Sequence, residues 1–101
     1  MKNGSARRAL KIIEMLACRF MDGMSNKELA EAVSTSEANI CRDLTLLYEL
    51  GWIRKLDTGR WTSSVKLLAI ARAYTLQFEK IQNRMAETER NIGVAAIRYG
   101  G

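Results

Sequence analysis

The stretch Ser36-Glu-Ala-Asn-Ile-Cys-Arg-Asp-Leu-Thr-Leu-Leu-Tyr-Glu-Leu-Gly51 decides how this chain folds. Hydroxyl side chains at its start are suited to cap a helix, and the glycine at its end is suited to terminate one. Its apolar residues recur at the spacing of a helix with one buried face: Ile40, Leu44, Leu47 and Leu50. The opposite face carries the polar residues Glu37, Asn39, Arg42 and Asp43. We therefore predict a helix over 36–50 with a polar set near its N-terminal end.

Two helices are predicted before this stretch. Ser5 can cap the first, whose apolar residues are Leu10, Ile13, Leu16, Ala17 and Phe20. Gly23 can adopt the left-handed turn that closes it. Ser25 and Glu28 have the capping-box spacing that starts a second, short helix over 26–33. A short helix, a turn over 33–36 and a longer helix form the helix-turn-helix arrangement. Ser34 stands where glycine is common in such turns.

A β-hairpin is predicted directly after the third helix. The segments 51–56 and 60–63 contain β-branched and aromatic residues, and they flank the turn Asp57-Thr58-Gly59. Three helices followed by a small hairpin is the order of a winged helix-turn-helix domain, which we place at 1–63. Trp52 and Trp61 are expected to pack within the domain rather than to stack on bases.

From Ser64 the pattern becomes a heptad seam with alternating spacings of four and three. Its members are Leu67, Ala71, Tyr74, Phe78, Ile81, Met85, Thr88 and Ile92. No glycine or proline interrupts it before Gly93, so we expect one long helix over 64–92 and an unassigned tail over 93–101. Such a helix extends beyond the core of the first domain, and we predict that it forms a coiled coil with a second copy. Folding back onto its own domain is the alternative. The fold class is therefore mainly α.

Charge and composition favour a nucleic-acid partner and give no support to an enzyme. The net charge is +5, with +3 in residues 1–22 and +3 in residues 64–101. Without histidine or a C-x-x-C pair no metal site is expected, and no catalytic constellation or cofactor motif is visible. Cys18 and Cys41 are expected to be packing residues or unreactive thiols. No apolar run approaches a membrane span and no signal region opens the chain, so the expected location is the cytoplasm.

Four runs of the sequence carry a likeness to a known family: Ser5-Ala-Arg-Arg-Ala-Leu-Lys-Ile-Ile-Glu-Met-Leu16, Met24-Ser-Asn-Lys-Glu-Leu-Ala30, Ile40-Cys-Arg-Asp-Leu-Thr-Leu-Leu-Tyr-Glu-Leu-Gly-Trp-Ile53 and Trp61-Thr-Ser-Ser-Val-Lys-Leu-Leu68. Together they resemble the DNA-binding domain of IclR-type transcriptional regulators. The resemblance covers roughly residues 5–71. It implies a dimeric winged helix-turn-helix whose helix from Ser36 reads the major groove. That family adds an effector-binding domain, so a chain of this length is expected to be a stand-alone regulator without a small-molecule effector, like those of phages and mobile elements.

The resemblance and the charge pattern together suggest which residues contact DNA. The base contacts are assigned to Ser36, Glu37, Asn39 and Arg42. Asn39 can pair bidentately with adenine and Arg42 with guanine, while Glu37 can accept a hydrogen bond from cytosine. The phosphate contacts are assigned to Arg7, Arg8, Lys11, Ser25, Lys27, Arg54, Lys55 and Arg60.

The sequence thus predicts a homodimeric, sequence-specific regulator that binds double-stranded DNA. Two alternatives stay open. One is a DNA-organising accessory protein of a phage or mobile element with little sequence preference. The other is a winged-helix module that docks onto a protein and does not bind DNA.

Overall fold

A computed structural model describes residues 4–101 of the chain. The elements in order are α1 (Gly4–Cys18), α2 (Asn26–Ala32), α3 (Glu37–Glu49), β1 (Ile53–Lys55), β2 (Trp61–Ser63), α4 (Val65–Ala96) and a single 3-10 turn (Ile97–Tyr99). The chain divides into two units, Met1–Leu68 and Ala69–Gly101. The first is a winged helix-turn-helix, and a long C-terminal helix follows it, so the predicted fold class is confirmed.

The core of the first unit lies where α1, α2 and α3 meet the hairpin. Its buried apolar residues are Ile12, Leu16, Met24, Leu29, Ala30, Ile40, Leu44, Leu47 and Ile53. The buried face of α1 therefore differs from the predicted one, because Ile12 is fully buried and Leu10 is 69% exposed. Both choices satisfy helical spacing, and only packing against the other helices decides between them. Leu50 was also predicted wrongly as buried, because α3 ends at Glu49 and Leu50 is its exposed C-cap.

The turns around α2 use the capping chemistry that the sequence predicts. Ser25 Oγ accepts a hydrogen bond from the Glu28 amide at 3.1 Å, and Glu28 Oε1 accepts one from the Ser25 amide at 3.1 Å. The left-handed position of the α2–α3 turn is filled by Ser34, with φ of 55°. At α1 the prediction was wrong, because Ser5 lies inside the helix, which already includes Gly4. It also ends at Cys18, earlier than Asp22.

The hairpin forms the wing and pairs with the connection between α1 and α2. β1 and β2 are antiparallel, with Ile53 opposite Ser63 and Lys55 opposite Trp61. A further bridge joins Trp61 to Met24, through hydrogen bonds of 2.9 Å and 2.8 Å between their backbone groups. Trp52 and Trp61 are both half-buried against the core, which confirms that they pack within the domain.

Within the first unit, the start of α4 contacts the residues at the end of α3 through a hydrogen bond and a cation–π contact. Lys66 Nζ donates to the Leu50 carbonyl at 3.0 Å and lies 4.5 Å from the centre of the Trp52 ring. A cation placed at the C-terminal carbonyls of a helix is stabilising. The Ser64 amide donates to the Trp52 carbonyl at 3.0 Å, so the wing and α4 share this junction.

The second unit consists of the remainder of α4 and the 3-10 turn. α4 runs through Gly93 and ends at Ala96, so the predicted end at Ile92 was four residues short. A glycine inside a helix costs only about 1 kcal/mol relative to alanine, which neighbouring helix formers can offset. Its 32 residues correspond to about 48 Å. Seven of the eight seam residues are exposed, and Leu67, in the first unit, is half-buried. Within residues 4–101, no helix combines the length and the apolar character needed to cross a membrane.

Two glycines with positive φ provide a matched test of the bridge between Met24 and Trp61. A methyl group on Gly23 (φ +69°) would overlap the Trp61 carbonyl oxygen, whereas one on Gly59 (φ +87°) would meet no atom within 4 Å. We expect Gly59→Ala to cost about 1–2 kcal/mol from backbone strain alone. Gly23→Ala should cost more than about 3 kcal/mol, because the wing must also move away. Urea denaturation of both variants measures the difference, and equal losses would contradict a structural role for this bridge.

Candidate nucleic-acid interface

The exposed face of α3 carries a connected row of polar side chains at its N-terminal end. Ser36 caps the helix, and its hydroxyl accepts a hydrogen bond from the Asn39 amide at 3.2 Å. The side-chain amide of Asn39 donates to Thr35 Oγ1 at 3.0 Å and accepts from Arg42 Nη2 at 2.7 Å. Glu37 lies exposed in the first turn. All four predicted base-contacting residues therefore share one end of this helix, and two of them are held in a defined geometry by each other.

Asp43 does not belong to this exposed face. It is 8% exposed, and its Oδ2 accepts a hydrogen bond from Arg8 Nε at 2.7 Å. The side chain of Arg8 is 22% exposed, so the ion pair is partly shielded from water. The hydrogen bond to Asp43 raises the pKa of Arg8 above its ordinary value. Arg8, which the sequence suggested for phosphate binding, thus has a partner inside the protein and ties α1 to α3.

Cys41 and Cys18 are both exposed, so neither is a packing residue, and the alternative that both are unreactive thiols stays a prediction. Cys41 is part of a chain of contacts that reaches the wing. Its Sγ accepts from Asn26 Nδ2 at 3.5 Å, and Asn26 Oδ1 accepts from Trp61 Nε1 at 2.8 Å. The N-terminal turn of α2 is therefore held between α3 and β2.

Two open cavities border the turn between α2 and α3, one beside α2 and the start of α3 and the other beside α1. One, of about 560 Å³, is lined in part by Lys27, Ser36 and Glu37. The other, of about 290 Å³, is lined in part by Arg7, Arg8 and Lys11. Both include residues 34 and 35, the turn between α2 and α3. The fold thus brings seven of the predicted contacts, which are far apart in sequence, around one turn: Arg7, Arg8, Lys11, Lys27, Ser36, Glu37 and, through its bond to Thr35, Asn39.

The wing carries two exposed cations and one that is bound within the domain. Arg54 and Lys55 are exposed on β1, where the Arg54 guanidinium lies 5.9 Å from the Phe20 ring centre and Lys55 Nζ lies 5.3 Å from that of Trp61. Arg60 instead donates to the carbonyls of Asp22 and Gly23 at 3.0 Å and 3.1 Å.

Arg60 also pairs with Glu28, at 2.7 Å between Nη1 and Oε1. The carboxylate of Glu28 accepts from the backbone amide of Ser25 as well. These hydrogen bonds, that of Ser25 first and that of Arg60 second, lower the pKa of Glu28 below its ordinary value of 4.5. Ser25 and Arg60, both suggested as phosphate contacts, therefore have structural partners in the first unit.

The described residues 4–101 contain no group of three histidine, cysteine or acidic side chains that could hold a metal ion. The exposed groups of this surface described above offer hydrogen bonding, positive charge and, at Glu37, a carboxylate.

The sequence analysis missed the ion pair between Arg8 and Asp43, although the spacing of both residues along their helices indicated it. Asp43 follows Ile40 by three residues and precedes Leu47 by four, so it falls on the buried stripe of α3. Arg8 precedes Ile12 by four residues on α1. A carboxylate on a buried stripe requires a cationic partner, and an arginine on the facing stripe of another helix supplies one.

The comparisons with known proteins support the fold. No protein-family model matches the sequence, and no curated protein matches it. Among solved structures, the chain is similar to an IclR family transcriptional regulator from Brucella abortus, with a TM-score of 0.57 and 19% sequence identity. The similarity covers 69% of this chain and 27% of that protein. The likeness shows a shared winged helix-turn-helix fold, and this chain spans about a quarter of the matched regulator.

Substitutions at neighbouring arginines separate a structural role from a surface role. We expect Arg8→Ala to lower the midpoint of urea unfolding, because it leaves the Asp43 carboxylate buried without its partner. Arg7→Ala, on the exposed side of the same turn, should change the free energy of unfolding by less than about 0.5 kcal/mol. In a double-mutant cycle with Asp43→Ala, the losses should be less than additive. Additive losses would show that the two side chains do not interact.

The pair between Glu28 and Arg60 predicts a pH-dependent stability. Glu28→Gln keeps an acceptor for the Ser25 amide but removes the charge that faces Arg60. Because folding lowers the pKa of Glu28, its contribution is complete above pH 4.5 and disappears as the pH falls through the lowered value. The wild type should therefore be more stable than the variant at pH 7, and the two should converge once the pH has fallen below the lowered pKa. A difference in urea midpoint that stays the same from pH 7 into strong acid would contradict this assignment.

Proposed function

We propose that this protein is a homodimeric transcriptional regulator that binds double-stranded DNA with sequence specificity, with α3 in the major groove. The observation that carries the proposal is the row of Thr35, Asn39 and Arg42 at the start of α3, half-exposed at its first two members and exposed at Arg42. Hydrogen bonds of 3.0 Å and 2.7 Å join the three side chains. The major groove admits an α-helix, and helix-turn-helix proteins read base edges with the N-terminal residues of that helix.

The side chains on this row match the chemistry of base edges. An asparagine amide can satisfy the N6 and N7 groups of adenine, and an arginine fork can satisfy O6 and N7 of guanine. Arg42 and Asn39 are bonded to each other in the protein alone. On DNA, each would exchange this bond for contacts to adjacent bases. Because Arg42 is exposed and Asn39 half-exposed, the exchange leaves no buried group unsatisfied.

The predicted phosphate contacts fall into two groups, because among residues 4–101 some of these side chains are already hydrogen-bonded within the domain and the others are not. Arg8, Ser25 and Arg60 have partners within the protein. The other five predicted phosphate contacts are exposed cations on α1, on α2 and on the wing: Arg7, Lys11, Lys27, Arg54 and Lys55. We therefore propose that these five side chains provide most of the phosphate contacts and set the dependence of binding on salt.

The similarity in fold agrees with this function. The matched solved structure is named as a transcriptional regulator, and the likeness covers 69% of this chain.

Glu37 is the one acidic group at the start of α3, where a carboxylate also stabilises the helix terminus. On DNA it would discriminate between bases, since a carboxylate can accept a hydrogen bond from the amino group of cytosine but not from the carbonyl oxygens of guanine or thymine.

The proposal is tested by selecting binding sites from a random duplex library with the purified protein. Affinities for the selected site and for a scrambled duplex of equal length are then compared across a salt series. A regulator should bind the selected site at least about 1,000-fold more tightly at physiological salt. Equal binding to both duplexes would support the DNA-organising alternative, and no binding at low salt would leave the protein-docking module.

Alanine substitutions on α3 and on the wing should affect binding differently. We expect Arg42→Ala to weaken the selected site by about 1–3 kcal/mol, with little effect on scrambled DNA, because it removes a base contact. Lys55→Ala should weaken both duplexes alike and reduce the salt slope by about one, because it removes a phosphate contact. Both residues are exposed, so the fold should be unaffected, which circular dichroism can confirm. Equal losses on both duplexes for Arg42→Ala would exclude its role in base reading.

A further inference from the structure

We propose that α4 pairs with α4 of a second copy as a parallel, in-register coiled coil, and that Arg84 of each copy pairs with Glu89 of the other. This inference rests on the homodimer proposed above and adds its orientation and the ion pair that selects it. Four observations carry it: the exposure of the seam, the apolar area that the seam offers, a groove on the surface of α4 and the placement of the charges beside the seam.

The seam of α4 is exposed although it is apolar. In the second unit Tyr74, Phe78, Ile81, Met85 and Ile92 are between 52% and 65% exposed. The rings of Tyr74 and Phe78 lie 5.3 Å apart, one turn along the helix, with an angle of 49° between their planes. An apolar stripe of this length on a soluble helix indicates a partner surface.

The area available is sufficient for a specific interface. Such interfaces bury at least about 1,200 Å² in total, and a fully covered aromatic side chain contributes about 150–250 Å². Two copies bring four half-exposed rings, which would supply about a third of the minimum. The aliphatic seam residues and the flanking Leu68 and Ile70, about half exposed, lie along the same stretch and supply further area.

The surface of α4 also contains a groove into which a side chain of another helix can insert. A groove of about 340 Å³ is lined by Arg84, Met85, Thr88, Glu89 and Ile92. In a coiled coil, a side chain at an a or d position inserts among four residues of the facing helix. With Ala71, Phe78, Met85 and Ile92 at a, the residues Met85, Thr88, Glu89 and Ile92 are the four that receive a d side chain. The Thr88 of a second, in-register copy would fill this place.

The charges beside the seam distinguish the two possible orientations. Between Leu67 and Ile92, Arg84 is the charged residue at a g position and Glu89 the charged residue at an e position. Parallel helices bring each g residue next to the e residue five positions later in the partner, so Arg84 meets Glu89 twice by symmetry. Antiparallel helices bring g next to g and e next to e. Arg84 then meets no carboxylate in any register, and some registers place like charges together.

A parallel coiled coil has a two-fold axis along its length, so the two winged domains would lie at the same end. Two recognition helices related by such an axis read an inverted repeat. Antiparallel pairing would separate the N-termini of the two α4 helices by about 48 Å and place the winged domains at opposite ends. Orientation therefore determines whether both domains can bind one short operator.

The orientation is tested with cysteines placed off the centre of α4. In a Cys18→Ser/Cys41→Ser background, Thr88→Cys introduces a thiol at a d position, and Arg90→Cys introduces one two residues away on the outer side. Oxidation with glutathione disulfide should link the Thr88→Cys variant into a covalent dimer almost completely and leave the Arg90→Cys variant unlinked. A sedimentation dimer whose Thr88→Cys variant does not cross-link would overturn the parallel orientation, and a monomer at about 100 μM would overturn the interface altogether.

The ion pair is tested by reversing charges. Glu89→Arg should raise the dimer dissociation constant about tenfold at low salt, because two attractions become repulsions. Adding Arg84→Glu should restore it, and the matched change Glu87→Arg, outside the seam, should have no effect. An unchanged dissociation constant for Glu89→Arg would overturn the pair. None of these measurements involves DNA, so a dimer that ignores DNA would refute the proposed function and leave the coiled coil intact.

Discussion

The backbone bridge between Met24 and Trp61 is the constraint on which the arrangement of the first unit depends. Two hydrogen bonds of 2.8 Å and 2.9 Å make the α1–α2 connection a third, one-residue partner of the wing. Gly23 has to be a glycine there because any side chain would overlap the Trp61 carbonyl. A two-stranded hairpin alone is marginally stable in water, so the wing requires this third contact.

The same bridge connects the wing to the helix that is proposed to read DNA. The indole of Trp61 donates to Asn26, which in turn contacts Cys41 on α3. On the other side of α3, Asp43 is held by Arg8 of α1. The orientation of α3 is thus set by polar contacts to two different elements, in addition to the apolar core. Positional accuracy of this kind is what a binding site with a few directional hydrogen bonds requires.

The sequence predicted those features whose physical cause is local. The capping box of Ser25 and Glu28, the cap at Ser36 and the glycine turn at Gly59 each depend on residues within four positions of one another. The heptad of α4 is likewise a local pattern, and it predicted one long helix correctly. The end of that helix was less predictable, because the cost of Gly93 is small compared with the helix formation around it.

The features that the sequence did not predict depend on partners far along the chain. The periodicity of α1 is satisfied by Leu10 and by Ile12 alike, and the choice is made by packing against α3 and β2. The roles of Arg8 and Arg60 could not be read from their charge, since their partners lie 35 and 32 positions away. Positive charge in a sequence therefore overstates the charge that is available for a nucleic acid, and a structure is needed to divide the arginines between internal and external contacts.

The exposed polar row of α3 is short, and its size has a consequence for how the protein can act. If α3 reads DNA as proposed, one winged domain offers a few base contacts and about five exposed cations, and single modules of this kind bury only about 600–1,000 Å². A genome presents so many competing sites that such a module alone would be spread among them. Joining two domains makes the second binding event intramolecular, which raises the overall affinity by orders of magnitude without any new contact. This gain is lost if the geometry prevents both domains from binding at once. The exposed seam of α4 and the recognition face of α3 are therefore two parts of one requirement, because the specificity proposed for α3 depends on the pairing proposed for α4.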